Sequence, residues 1–149
     1  MSLGAIPKAH TPAGGWREMP PPVLGDCSDG PEIGLPDMRG LWKAFAVEVD
    51  GVPSDDLSHV ERIEQSGNRV VIASGGVTHD MECDGTLENG VDDISALSLQ
   101  PITVAAAWEE GALVLRPNNA FVAVTRHLEG DVLVWKLFPF NRVTWMRRI

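Results

Sequence analysis

From Gly40 onward, glycine-centred turns repeatedly separate short runs of β-forming residues, with no helical period between them. Residues 41–49 make one such run, which stops at Asp50-Gly51. Residues 59–64 and 69–74 flank Gln65-Ser66-Gly67-Asn68, 103–109 and 112–116 flank Glu110-Gly111, and 121–128 and 131–137 flank Glu129-Gly130. Glycine supplies the positive φ that a tight hairpin turn needs, so each pair reads as a hairpin. A last strand over 142–148 follows a corner at Pro139. Short helix is expected only at 54–58 or around 91–97, where Asp92-Asp93 offers a cap. A meander of about eight to ten short strands must dispose of two sheet edges, and closure does so. The fold expected is all-β, an antiparallel up-and-down β-barrel over residues 37–149. A sandwich is the alternative, and residues 75–102 are the one connection long enough for its crossings.

Residues 1–36 hold seven of the eleven prolines and six of the fifteen glycines. Proline fixes φ and lacks an N–H donor, which excludes a long helix or a central strand. This stretch reads as an extended Pro/Gly-rich N-terminal arm, tethered by Trp16. The whole chain, 149 residues and 44% apolar, suits one core. Its net charge of −9 argues against nucleic acid or an anionic membrane as partner, since both need a basic face. No apolar run reaches membrane-spanning length, and residues 1–30 lack the apolar stretch of a secretory signal. Cys27 and Cys83 are too few for a disulfide framework, so a reducing, cytoplasmic location is expected.

Pairing residues across the turns assigns faces. Around Glu110-Gly111, Trp108 opposes Leu113 and Ala106 opposes Leu115, which sends Val104, Ala106, Trp108, Leu113 and Leu115 inward. Around Glu129-Gly130, Arg126 is set against Leu133 and Val124 against Trp135, so Arg126 shares the inner face with Val124, Leu133, Trp135 and Leu137. Around Ser66-Gly67, Glu64 is set against Arg69 on a solvated face with Arg62, leaving His59, Glu61, Ile63, Val70 and Ile72 inside. Three ionisable residues, His59, Glu61 and Arg126, are thus expected within an apolar barrel. Buried charge is costly unless paired, so they should form a network or line a wet pocket.

Gly40-Leu41-Trp42, opening the first strand, resembles the G-x-W signature of the calycins, the superfamily of lipocalins and fatty-acid-binding proteins. The likeness spans residues 38–149 in topology. The later lipocalin motifs are absent, as is the helical pair that follows the first strand in fatty-acid-binding proteins. The resemblance implies a barrel with one open mouth and an internal site. It also implies that Trp42 packs across the closed end against an arginine of the last strand, Arg147 or Arg148.

Between Arg69 and Arg116 there are eight acids and no Lys or Arg. Residues 79–90 resemble a calcium loop in acid spacing, but Val91 stands where the bidentate glutamate belongs. Asp80, Glu82 and Asp84 read instead as one solvated strand face. His79, Glu82 and Cys83 lack zinc-ligand spacing, so no metal is expected. Phosphate loops and dinucleotide fingerprints are missing, so no cofactor is expected. Three functions remain. The first is binding of a small apolar or amphipathic molecule, with Trp42, Trp108 and Trp135 lining the site and Arg126 anchoring an acidic head. The second is a cofactor-free isomerase, cyclase or lyase using His59, Glu61 and His79 as acid and base. The third is a packed barrel that dimerises through an outer face carrying Val132, Val134 and Val143.

Overall fold

The structure, a computed structural model, describes residues 3–27 and 29–149. Eleven strands form one antiparallel sheet: β1 (Gly40–Val49), β2 (Val52–Pro53), β3 (Val60–Ser66), β4 (Arg69–Ser74), β5 (Val77–Glu82), β6 (Val91–Ile94), β7 (Pro101–Glu109), β8 (Ala112–Pro117), β9 (Val124–Glu129), β10 (Val132–Leu137) and β11 (Arg142–Arg148). The order is β5-β4-β3-β1-β11-β10-β9-β8-β7-β6, with the two-residue β2 beside β1. This is a meander whose first and last strands pair, curled into a nearly closed barrel. Helix among the described residues is confined to 3-10 turns at Leu3–Ala5 and Phe138–Phe140. Among the described residues no helix is long and apolar enough to cross a membrane.

Turn chemistry sets the hairpins. At the β4–β5 turn, Gly75 and Gly76 adopt φ of 60° and 85°, values that a side chain would strain. The β7–β8 register is the expected one, with Trp108 opposite Leu113 and Ala106 opposite Leu115. Two other registers differ by two residues. Arg126 opposes Trp135 rather than Leu133, and Arg69 opposes Ser66 rather than Glu64. Each hairpin spends two residues on its loop, Gly130-Asp131 and Gly67-Asn68. A two-residue slip leaves every side chain on its expected face, because strands alternate with a period of two. Neither segment expected to contain short helix does so. Residues 54–58 are irregular, and 91–94 form β6, paired with β7 because Val91 belongs to the core.

The interior is layered. Toward one end Trp42, Ile63, Met81, Leu113, Leu133 and Met146 are buried to 2% exposure or less and close the barrel. Trp42 donates its indole N–H to Met38 O at 2.9 Å, and the Arg148 guanidinium lies 4.3 Å from its ring centroid. Gly40 makes that stacking possible. Its φ is 145°, and a Cβ there would meet Arg148 Nε at 3.1 Å. The glycine thus clears the path by which Arg148 crosses to donate to Arg39 O and Asp37 O.

The outer face of β3–β5 is not solvated, contrary to the reading of Arg62, Glu64, Arg69 and Asp80 as surface charges. Residues 3–24 cross it. Arg69 (7% exposed) and Asp80 (2%) form a bidentate ion pair at 2.8 and 2.6 Å. Arg69 also donates to Leu3 O, Ile6 O and Pro7 O, and Asp80 accepts from Ala9 N. Glu64 accepts from Val23 N and Leu24 N, while Arg62 donates to Pro20 O and Pro21 O. Proline-rich backbone pairs poorly with a sheet edge, so side-chain charges satisfy it instead.

The seam between β5 and β6, where the sheet has no ladder, is bridged by the same segment. Ala9 reaches Asp80 of β5, Thr11 N reaches Asp93 of β6 at 2.9 Å, and Lys8 reaches Gly90 O. Asp84 serves its own turn, accepting from Thr86 N, Thr86 Oγ1 and Asn89 Nδ2. Of the acids placed together on one surface, only Glu82 and Asp84 are exposed. The proposed dimer face also changes. Val134 is 2% exposed and Val132 and Val143 are half-buried, so they form no open apolar patch.

Candidate functional site

Beyond the packed end the barrel encloses a cavity of about 960 Å³ that opens at the other end. Its wall is largely apolar, with Ile72, Val77, Val91, Val104, Leu115, Val124 and Leu137 from seven strands, β4 to β10. Trp16 and Met19 of the N-terminal segment, with Leu97, Phe140 and Arg142, also line it. Trp16 is held by Nε1–H donation to Thr78 Oγ1 at 3.1 Å and by its backbone N–H to Gly76 O.

His59, Glu61, His79 and Arg126 all line this one cavity. Glu61 is 1% exposed and Arg126 6%. The guanidinium grips the carboxylate side-on, Nε to Oε2 at 2.7 Å and Nη2 to Oε1 at 3.0 Å. The same Oε1 lies 3.1 Å from His59 Nε2. β3 supplies Glu61, with His59 just before it, and β9 supplies Arg126 from across the barrel. Burial pushes the Glu61 pKa up, but Arg126 and His59 outweigh it and hold the value at about 2. Glu61 is therefore a carboxylate and can only accept. The hydrogen shared with His59 thus sits on Nε2, and in the neutral imidazole Nδ1 is the nitrogen with the free lone pair.

Trp135, opposite Arg126 on β10, meets the His59 ring edge-on, with centroids 4.9 Å apart and planes at 86°. Two donors in this cluster are buried without a partner among the described residues, Arg126 Nη1 and Trp135 Nε1. His79 sits opposite Ile72. Its Nε2 donates to Ile94 O at 2.8 Å across the seam, and burial lowers its pKa below the ordinary 6.5. His79 is thus neutral at pH 7, and it too carries its hydrogen on Nε2.

Of the residues expected at the site, Arg126 and Trp135 line the cavity, whereas Trp42 and Trp108 do not. Trp42 is consumed in the closed end. Trp108 packs against the core near the Glu110-Gly111 turn, with a buried Nε1 that has no partner among the described residues. Sequence reasoning missed Trp16 and Met19 at the mouth, because the route of an irregular segment leaves no periodic signal. Cys83 is not an activated nucleophile, since burial drives its thiol to about 12.

Among the described residues no group of three or more His, Cys, Asp and Glu is arranged to hold a metal ion. The arrangement offers an oriented imidazole, a fixed ion pair and a second neutral imidazole around an apolar space. That set can bind a polar head and move a proton. No protein-family model matches the chain, and no curated protein matches it in sequence.

Proposed function

We propose that this protein binds one small, largely apolar molecule inside a calycin-like barrel, with the molecule's polar head at the Glu61–Arg126–His59 cluster. The observation that carries this reading is an open cavity of about 960 Å³ whose apolar wall is interrupted by one compact polar cluster. Small-molecule sites have this form, apolar surface for affinity and a few fixed polar groups for orientation. The Gly40–Trp42–Arg148 arrangement at the closed end supports the calycin likeness.

Head-group chemistry follows from the ion pair. Glu61 already neutralises Arg126, so an incoming carboxylate meets no net positive charge and must desolvate its own. An acidic head is the weaker fit, and an uncharged hydrogen-bond acceptor is the stronger. The cavity at the open end speaks against the packed-barrel alternative.

The test is calorimetric and fluorimetric titration with decanoic acid, decanol, a retinoid and a phenolic acid, with Trp135 as the internal reporter. Saturable binding at one molecule per chain is expected, and Val124→Phe, which sets an aromatic ring into the cavity wall, should weaken it. Absence of heat and of fluorescence change with every probe refutes the reading.

A further inference from the structure

We propose that the cavity is a proton-transfer active site for an uncharged, largely apolar ketone, in which His59 takes a proton from the carbon beside the carbonyl. The inference rests on the binding reading above and deepens it.

Three observations converge. A buried carboxylate holds Nε2 of His59 at 3.1 Å, which fixes the ring and makes Nδ1 of the neutral imidazole the nitrogen able to take a proton. A base oriented by a third group is the general arrangement of acid–base catalysis. Second, the His59 ring abuts Trp135, and Trp135 directly opposes Arg126. Each of those two residues keeps one buried donor without a partner among the described residues. Unused donors beside a base are where negative charge developing on an oxygen gains most, since the wall around them is apolar. Third, Glu61 cancels the Arg126 charge, so the cluster favours a neutral substrate that becomes anionic only during reaction. A carboxylate ligand would be anionic from the start.

The step balances without a co-reactant. The C–H bond breaks, its proton goes to His59 Nδ1, and its electron pair moves through the carbon framework onto the carbonyl oxygen as an enolate. The imidazolium returns the proton to the same carbon or, in a β,γ-unsaturated ketone, to the γ-carbon, which is an isomerisation to the conjugated ketone. Glu61 acts as a positioning residue, keeping its hydrogen bond to His59 while the enolate balances the charge of the imidazolium.

The experiment follows deuterium incorporation at the α-carbons of 2-tetralone and 2-decanone in deuterated buffer by proton NMR, with binding measured in parallel. Exchange in the presence of the protein is expected to exceed that with an equal concentration of free imidazole by about 10²-fold or more. His59→Gln keeps a donor for Glu61 and should lose that excess while the ketones still bind, with any loss of affinity far smaller than the loss of exchange. His59→Ala should regain exchange when imidazole is added. Ketones that bind but exchange no faster than with free imidazole overturn the inference and leave the binding reading standing. Failure of both ketones to bind while decanol binds also overturns it. Failure of every probe to bind removes both.

Discussion

Acid stability offers a direct measure of the Glu61–Arg126 pair. Each tenfold change in proton affinity corresponds to about 1.4 kcal/mol, so holding the Glu61 carboxyl at about 2 in the folded chain against an ordinary 4.5 contributes about 3 kcal/mol to stability. The sign follows from the direction. The folded value is depressed, so the contribution is fully present above pH 4.5 and is lost as pH falls toward 2. The perturbation is the paired replacement Glu61→Met with Arg126→Met, which removes both charges and keeps apolar volume. Single replacement is unsuitable, because stranding one buried charge costs about 3–5 kcal/mol by itself. Urea unfolding at a series of pH values from 7 down to 2.5 supplies the free energies. The parent should lose about 3 kcal/mol more than the double variant across that range. Every other carboxylate, including the Asp80 paired with Arg69, is common to both proteins and cancels. Equal pH dependence in the two would refute the claim that Glu61 folds as a buried carboxylate.

Other outcomes are expected from the same structure. Trp42→Ala should destabilise the chain by about 3–5 kcal/mol in urea unfolding, because it empties the closed end; a loss under 1 kcal/mol would contradict the packing described. Asp80→Asn should release residues 3–11 from the β5–β6 seam, read as faster proteolytic cleavage there while the barrel's far-ultraviolet dichroism is kept. With the Cys83 thiol pushed up to about 12, a thiol reagent at pH 8 should titrate one cysteine, Cys27, in the native protein and two in denaturant.

Strand and turn chemistry was legible because it is local. The glycines at 51, 67, 111 and 130 all adopt positive φ at the turns they were expected to make. Alternation then assigned His59, Glu61 and Arg126 to the interior, and it did so even where the pairing was displaced by two residues. A face depends only on the parity of the register, which two-residue errors preserve. Asp92-Asp93 misled for the opposite reason, since a helix cap and a strand edge use the same residue types.

The amino-acid sequence by itself determined a meander of hairpins, an apolar interior and the presence of three ionisable residues within it, since these follow from φ preferences and a period of two. Only the tertiary structure decided that Glu61 holds Arg126 and His59 together. That contact joins β9 to the start of β3 across the barrel, at a sequence separation of 65 residues. The fate of the outer face was likewise settled in three dimensions. Arg62, Glu64, Arg69 and Asp80 look like a solvated surface in one dimension, and became a docking face because the proline-rich backbone of residues 3–24 needs partners that its own geometry cannot supply.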